Sequence, residues 1–306
     1  MRTVFIHTNE KQMIGALVSA HSMKRNSRRP ESFEVKIIRL EDYPWYAEYN
    51  GRKYLREGRA HTWDMSDLQT FTTLRFMPPE LMGYQGRAVV TDPDVFAVGD
   101  VADLLDRDLE GKAIGAKLRA GHKGYADYIA TSVMLLDCAK LKHWQVRAWF
   151  DEMFEMKRDY EIWMRLGYEN RDSILAIEPE WNDFDRLTLA TKMLHNTKRR
   201  TQPWKKGLPV DFTVRKSLLG FLPPNWTPEG LIKRVRQPGA YVSHPDPRQE
   251  QFFFALVREC LDNGTITTAM VEEHMAKNHV RADAMALIRS VPSVDQVLGS
   301  LRAEAA

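Results

Sequence analysis

Val89-Val90-Thr91-Asp92-Pro93-Asp94-Val95-Phe96 is the stretch that points most directly to a fold and a site. A short apolar run predicts a buried strand, which leads straight into two carboxylates one residue apart. Ligand sites of open α/β sheets lie at the carboxyl ends of strands, and paired carboxylates there suit Mg²⁺ or Mn²⁺. Asp-Pro-Asp also forms a favourable turn, so this stretch alone leaves a purely structural turn as an equal alternative.

Around this stretch, short apolar runs alternate with segments of helical periodicity. The alternation predicts an α/β fold with a mixed, mostly parallel sheet flanked by helices. The predicted strands cover residues 3–7, 33–40, 88–91, 113–118 and 133–136, and the predicted helices cover 12–24, 101–105 and 138–154.

The segment from 41 to 65 interrupts this alternation, because it mixes aromatic with charged residues and has no clean period. It is predicted to be a long loop, and long loops in compact domains tend to be functional or mobile. Its rings could stack on a sugar or a base, or they could pack the loop against the core, and the sequence favours neither. The rings are those of Tyr43, Trp45, Tyr46, Tyr49, Tyr54 and Trp63.

Beyond Lys205, prolines punctuate the chain before helical periodicity returns. Asp246 and Pro247 predict the start of a helix, and Asn263-Gly264 predicts its end. Shorter helices are predicted at 267–277, 282–291 and 294–302.

This change in sequence pattern divides the chain near residue 215. We predict a catalytic domain at 1–215, followed at 216–306 by a loop-rich linker and a small C-terminal helical appendage. The appendage could face an acceptor substrate, cover a sheet edge or form the contact of a homodimer.

A second stretch with functional residue types follows the apolar pair Met193-Leu194. His195 stands at the carboxyl end of this run, where a neutral imidazole could be a third ligand for Mn²⁺. The basic cluster after it would neutralise phosphates. A structural histidine and a solvated basic turn are the alternatives for each feature taken alone. The cluster comprises Lys198, Arg199, Arg200, Lys205 and Lys206 around Gln202-Pro203-Trp204.

The charge balance limits the classes of function. The 306 residues carry 44 Lys+Arg against 41 Asp+Glu. The resulting net charge of +3 is too small for a protein whose whole surface binds nucleic acid. Residues from Lys216 onward carry ten of each sign, so the whole excess lies before that point. The excess therefore suits one anionic ligand better than a polyanion.

Cysteine content and hydropathy indicate the compartment. Cys138 and Cys260 are the only cysteines, and no apolar run approaches the roughly 20 residues that span a bilayer. These features predict a cytoplasmic protein without a transmembrane segment. The basic pairs Lys24-Arg25 and Arg28-Arg29 leave a peripheral membrane contact as a minor alternative to cations at the end of a helix.

Four segments in roughly the first two thirds of the chain carry a resemblance to a known family. They are Val4-Phe5-Ile6-His7-Thr8-Asn9-Glu10, the run from Phe71 to Pro78, the run from Gly86 to Asp100, and the run from His195 to Trp204. Together they resemble nucleotide-sugar glycosyltransferases of the GT-A (Rossmann-like) fold, in particular glycosyltransferase family eight and its bacterial relatives.

The resemblance implies a metal-dependent hexosyltransferase that uses a UDP-sugar and retains the anomeric configuration. It implies that Asp92 and Asp94 bind Mn²⁺ (or Mg²⁺) and that His195 completes the protein ligands. It also implies that Arg75 acts near the phosphates or the donor sugar, and that Asp183 or Asp185 touches donor or acceptor.

The resemblance further implies a set of residues for the UDP-sugar, drawn from all four segments and the basic cluster. The acceptor is an unknown glycan, lipid or small molecule. The residues implied for the donor are His7, Thr8, Asn9, Arg75, Thr91, Asp92, Lys198, Gln202, Trp204 and Lys205.

Two further functions stand as alternatives. Ala130, Ser132 and Gln202 depart from the residues usual in the family, which motivates a nucleotide-sugar-binding protein without transfer activity. A nucleotidyltransferase or nuclease could also use Asp92 and Asp94. The lack of a Gly-rich phosphate loop near the N-terminus and the near-neutral charge argue against this second alternative.

Overall fold

A computed structural model describes residues 2–119, 128–211 and 239–303. Its strands are β1 Arg2–Thr8, β2 Glu34–Arg39, β3 Lys53–Arg56, β4 Arg59–Thr62, β5 Arg87–Thr91, β6 Val95–Ala97, β7 Ile114–Arg119, β8 Tyr128–Asp137, β9 Ile174–Ala176, β10 Asp183–Phe184 and β11 Met193–His195. Its helices are α1 Met13–Arg25, α2 Pro78–Leu81, α3 Val101–Asp106, α4 Val146–Phe154, α5 Tyr160–Met164, α6 Pro247–Asp262, α7 Thr268–Ala276, α8 Ala284–Ser290 and α9 Val294–Ala303.

The main sheet has six strands in the order β2-β1-β5-β8-β7-β9. The pairs β1/β2, β1/β5 and β7/β9 are parallel, whereas β8 runs antiparallel to both of its neighbours. The carboxyl ends of β1, β2 and β5 therefore meet at one edge of the sheet. The predicted α/β class, with a mixed, mostly parallel sheet and C-terminal helices, is confirmed.

A smaller sheet in the order β10-β11-β6 lies beside this edge. One side of β6 pairs antiparallel with β11, and its other side is hydrogen-bonded to side chains of α1 and of Asn26, the residue after α1. Ser19 Oγ donates to Val95 O (2.6 Å), the Ala97 N–H donates to Ser22 Oγ (2.8 Å), and Asn26 Nδ2 donates to Ala97 O (2.7 Å). The small polar face of α1 thus takes the place of a neighbouring strand.

The predicted loop at 41–65 consists of short 3₁₀ turns and the β3/β4 hairpin. Tyr46, Tyr49, Tyr54 and Trp63 are buried, and three of these rings contact the ring of Phe150 in α4 at centroid distances of 4.7 to 5.0 Å. For these four rings, the structure shows packing against the core.

The helix predicted at 138–154 is wrong in its first half, since α4 begins at Val146. Cys138 starts a short 3₁₀ turn instead, and Leu141 and Trp144 are buried with it. Apolar residues three apart fit a 3₁₀ turn as well as an α-helix, so the periodicity of the sequence does not distinguish them.

The C-terminal helices pack against the rest of the described protein through one apolar cluster. In this cluster α6 contributes Phe252 and Phe253, α1 contributes Ile14 and Val18, and Trp204 joins them from the basic segment. The helices therefore lie behind α1 and the small sheet and share a core with them. No helix among the described residues has both the length and the apolar character to cross a membrane.

The basic residues after α1 are paired within the molecule. Arg28 contacts Asp100 (3.1 Å) and Asp103 (2.6 Å), and Arg29 contacts Asp106 (2.7 Å). Because these carboxylates lie on or next to α3, the pairs tie the end of α1 to that helix. Internal ion pairing thus accounts for these arginines.

We predict that Gly15→Ala destabilises the protein by about 1–3 kcal/mol, because a Cβ at this helical position would lie 2.8 Å from Pro93 O. Gly299→Ala is the matched control, since its Cβ would meet open space in α9 and alanine there should stabilise by about 0.5–1 kcal/mol. Urea unfolding measures both. A Gly15→Ala protein as stable as the control would contradict the close contact.

Candidate functional site

Three side chains with metal-binding atoms meet at the edge of the two sheets. Asp92 follows β5, Asp94 precedes β6, and the antiparallel register of β6 and β11 pairs Val95 with His195. His195 Nε2 lies 3.3 Å from Asp94 Oδ1, and one ligand atom from each of the three residues lies within 4.8 Å of the others. Two carboxylate oxygens and one imidazole nitrogen fit a cation such as Mn²⁺. The predicted grouping is therefore present.

Asn182 orients the imidazole of His195. Its Oδ1 lies 2.9 Å from His195 Nδ1, and its Nδ2 donates to Ser132 Oγ (2.9 Å). An amide oxygen only accepts, so Nδ1 carries a hydrogen and Nε2 is the ring nitrogen that faces the carboxylates. Hydrogen bonding of the second ring nitrogen is the usual way in which proteins fix a metal-ligating histidine.

The electrostatics keep Asp92 ionised and favour a proton on His195 when no cation is bound. Burial favours neutral His195, but the carboxylates of Asp94 and Asp92 outweigh it and raise the pKa of the imidazole. Burial also opposes ionisation of Asp92, yet the guanidinium of Arg75 and the ring of His7 hold the pKa of this carboxyl well below its usual range. Asp92 is therefore ionised at neutral pH, and a cation would compete with a proton for His195 Nε2.

Arg75, predicted to act near the phosphates, lies in the 3₁₀ turn Thr70–Phe76 and is buried. Its Nη2 donates to Asp92 Oδ1 (2.8 Å) and its Nη1 donates to Thr131 Oγ1 (2.6 Å). Thr131 Oγ1 in turn donates to Met164 O (2.8 Å). Arg75 thus holds one carboxylate of the triad in place and supplies a fixed positive charge beside it.

The residues predicted from the end of β1 lie next to the triad but are mostly covered. His7 is wholly buried, with Nε2 3.1 Å from Asp92 Oδ1, and burial lowers its pKa. Thr8 Oγ1 donates to the backbone oxygen of Asn9 (3.1 Å), and the Asn9 side chain caps the next turn. Thr91 is also buried. Among these residues, Asn9 lines a cavity.

That cavity has a volume of about 300 Å³ and lies at the carboxyl ends of β1 and β2, on one side of the triad. Its walls combine an aromatic ring, aliphatic side chains and charged groups. The lining residues are Asn9, Glu10, Lys11, Leu40, Glu41, Tyr43, Pro44, Ala47 and Met65. A larger space of about 410 Å³ near Arg2 and Arg87 lies at the opposite ends of the strands, away from the triad.

The basic segment after His195 is only partly available to a ligand. Gln202 Nε2 donates to Asp94 Oδ2 (3.0 Å), so this residue contacts the triad directly. Trp204 is fully buried and packs on Phe253 at a centroid distance of 4.7 Å. Lys205 is fully buried and paired with Asp211, and burial lowers its pKa. Lys198 is exposed.

The two predicted catalytic aspartates are engaged in local hydrogen bonds. Asp183 is buried and accepts from Thr191 Oγ1 (2.9 Å). Asp185 has a left-handed backbone (φ 53°) and accepts from the Lys198 N–H (3.1 Å), while its own N–H donates to His195 O (2.9 Å). Both lie beside the triad, and neither belongs to it.

Further residues behind the triad were not predicted from the sequence. Asn182 was noted only as part of a loop, and Gln249 and Arg281 lie in the C-terminal helical region. Asn196 Nδ2 donates to Gln249 Oε1 (2.6 Å), and the Arg281 N–H donates to Trp204 O (2.8 Å). Contacts of this kind have no spacing signature, so the sequence offers no signal for them.

No known protein family matches the sequence, and no curated protein matches it. Solved structures with a similar fold include the glycosyltransferase GlyE of Streptococcus pneumoniae, at 16% identity and a TM-score of 0.46, over 66% of this chain and 56% of GlyE. This chain therefore spans about half the length of GlyE.

Two other similar structures are glycosyltransferases. Galactosyltransferase LgtC, in complex with donor and acceptor sugar analogs, matches at 14% identity and a TM-score of 0.43, over 68% of this chain and 90% of LgtC. Mouse xyloside xylosyltransferase 1 matches at 11% identity and a TM-score of 0.41, over 64% of this chain and 98% of that chain. Membership of glycosyltransferase family eight stays a prediction. We argue the function from the geometry of the site.

We predict that Asn182→Ala weakens Mn²⁺ binding by about 10- to 100-fold, because the His195 ring loses the partner that orients it. Electron paramagnetic resonance measures the free Mn²⁺. Asn170→Ala is the control, since Asn170 caps an exposed turn far along the chain from the triad. Unchanged Mn²⁺ affinity in the Asn182 variant would show that this hydrogen bond does not position the ligand.

Proposed function

We propose that this protein is a metal-dependent glycosyltransferase that transfers a hexose from a UDP-sugar to an acceptor hydroxyl. The proposal includes Mn²⁺ or Mg²⁺ at Asp92, Asp94 and His195, and retention of the anomeric configuration as the resemblance implies. The acceptor is a glycan, a lipid or a small molecule.

One observation carries the proposal: an Asp-Asp-His triad lies at the same edge of the main sheet as a cavity at the carboxyl ends of β1 and β2. Asp92 and Asp94 keep 18% and 16% of their side-chain surface exposed, so a ligand can reach both. The cavity of about 300 Å³ is at the small end of the range for ligand pockets, and the ring of Tyr43 in its wall suits a flat base. A nucleoside there would place its diphosphate towards the triad.

The chain's own groups have separable tasks in this transfer. Asp92 and Asp94 bind the cation through their oxygens, and Asn182 holds His195 so that Nε2 is the third ligand. Arg75 fixes Asp92 and adds positive charge close to the place where a diphosphate would lie. When bound, the cation stabilises negative charge on the departing diphosphate as a Lewis acid.

In the proposed reaction, the bond between the sugar C1 and the β-phosphate oxygen breaks and its electron pair leaves with UDP. The acceptor oxygen forms the new bond to C1, and its proton passes to the departing diphosphate. This balance needs no strongly acidic side chain, which fits the engagement of Asp183 and Asp185 in local hydrogen bonds.

A protein that binds the nucleotide sugar without transfer is the second candidate, and the state of Lys205 favours it. A lysine implied for the phosphates is fully buried and neutralised by Asp211. UDP binding together with the absence of turnover for every sugar donor would identify this second function.

We predict that Mn²⁺ stimulates UDP release from a UDP-sugar by slow hydrolysis, and that Asp94→Asn and His195→Ala each reduce the rate more than about 100-fold. Both substitutions remove a ligand atom from the triad. A coupled assay for UDP across a panel of UDP-sugars measures the rate, with Mn²⁺ affinity measured in parallel.

Asp172→Asn and His61→Ala are matched controls, because both residues are exposed and distant in sequence from the triad. They should retain full Mn²⁺ affinity and full activity. Triad variants with wild-type activity would exclude the assigned metal site, and release of pyrophosphate instead of UDP would indicate a nucleotidyltransferase.

A further inference from the structure

The surface on the β7/β8 side of the triad carries cations stacked on aromatic rings. Phe184 pairs with His195 across β10 and β11, and their ring centroids are 5.4 Å apart. Lys117 Nζ lies 4.1 Å from the centroid of the Phe184 ring, and Arg119 Cζ lies 5.1 Å from it. One aromatic ring therefore separates the candidate metal ligand from two positive charges.

A second ring extends this arrangement away from the triad. Tyr128 pairs with Arg119 across β7 and β8, and its ring centroid lies 5.4 Å from the guanidinium carbons of both Arg119 and Arg165. We name Lys117, Arg119, Tyr128, Arg165 and Phe184 the cationic edge.

Within the described part of the chain, carboxylates match only part of the positive charge of the cationic edge. Lys117 Nζ donates to the backbone oxygen of Asn182 (2.8 Å), and in residues 2–119, 128–211 and 239–303 neither Lys117 nor Arg119 has a carboxylate within 4.0 Å. Arg165 lies 3.4 Å from Glu161, but that carboxylate also receives Arg56 at 2.6 Å. Among the residues that the structure describes, the cationic edge therefore keeps a net positive charge.

Asp183, one of two acidic residues near Lys117, does not cancel this charge. Asp183 accepts from Thr191 Oγ1 (2.9 Å) and lies 3.4 Å from Arg186, which is itself 68% exposed. Arg186 thus offsets Asp183 and leaves the charges of Lys117 and Arg119 in excess.

The geometry of stacking leaves the arginines able to bind an anion. A guanidinium over an aromatic ring uses its face, and its N–H donors lie at the edge of the plane. Arg119 and Arg165 are both exposed, so these donors can reach a ligand. Planar donor pairs of this kind match a carboxylate or a phosphate.

The cationic edge and the candidate nucleoside cavity flank the triad on opposite sides. The cavity lies at β1 and β2, whereas the cationic edge lies at β7, β8 and β10, on the other side of β5 in the sheet order. A donor in the cavity would leave the cationic edge facing the second substrate.

We propose that the cationic edge binds an anionic group, a phosphate or a carboxylate, on the acceptor. This inference rests on the proposed function and deepens it, because it names the chemical class of the acceptor. Lys117 and Arg119 contact the anion, and Phe184 and Tyr128 hold their side chains in place.

The test uses the full chain saturated with Mn²⁺ and UDP, so that the donor site is filled. Calorimetry measures binding of glucose 6-phosphate and glucuronate, with glucose as the neutral match. We expect both charged probes to bind at least about tenfold more tightly than glucose. Arg119→Gln and Lys117→Gln should each weaken the binding of the charged probes about tenfold. Arg119→Lys keeps the charge but loses the planar stack. Its affinity for the charged probes should lie between those of the unchanged protein and of Arg119→Gln.

Arg289→Gln and Lys36→Gln are the controls, since both residues are exposed and lie outside the cationic edge. They should bind the probes like the unchanged protein, and all variants should keep wild-type UDP affinity. Equal or undetectable binding of charged and neutral probes would overturn the proposal. Loss of UDP affinity in Arg119→Gln would overturn it as well, because it would assign the cations to the donor diphosphate.

The same titrations separate this inference from the proposed function. If UDP fails to bind the Mn²⁺-loaded chain, the glycosyltransferase proposal fails. The probes can then be titrated into the metal-free protein. Charge-selective binding that is lost in Arg119→Gln would still show an anion site there, without assigning it to an acceptor.

Discussion

The turn from Asp92 to Asp94 is the constraint on which the site depends, because it is held from two directions at once. Helix α1 approaches so closely that only a glycine fits against Pro93 O. Two serines of α1, and the Asn26 that follows it, bind the free edge of β6. On the other side, β11 pairs with β6 and brings His195 to Asp94. The distance between carboxylate and imidazole is thus set by backbone packing, with little freedom left to the side chains.

Two layers of hydrogen-bonding side chains support that turn. Arg75 and Asn182 each hold one member of the triad, and Thr131 and Ser132, neighbours on β8, hold Arg75 and Asn182 in turn. One strand therefore anchors both supporting residues. A cation bound at the triad would therefore need little rearrangement of its ligands, which is the usual advantage of a rigid second layer of contacts.

The sequence was informative about the strands and the ligand types, and much less so about what supports them. Asp92 and Asp94 follow an apolar run, and His195 ends another, so strand ends and residue chemistry were enough to predict the triad. The reach of Asn182 to His195 depends on the parallel pairing of β10 with β11, and nothing in local spacing encodes that register. The basic cluster was misleading in a different way. A run of cations normally indicates a solvated face, but the ammonium of Lys205 lies inside the protein beside Asp211.

The packing of Trp204 has a consequence for how the gene can be trimmed. This ring lies against Phe96 and Phe253, in a cluster that also contains Ile14 and Val18. A fragment that stops before Pro247 would keep every side chain of the triad and lose α6, so these apolar surfaces would face water. Such a fragment would be prone to aggregate, and expression of the N-terminal part alone would misrepresent the protein. Residue 215, where the composition of the sequence changes, would for the same reason be an unfavourable place to divide the gene.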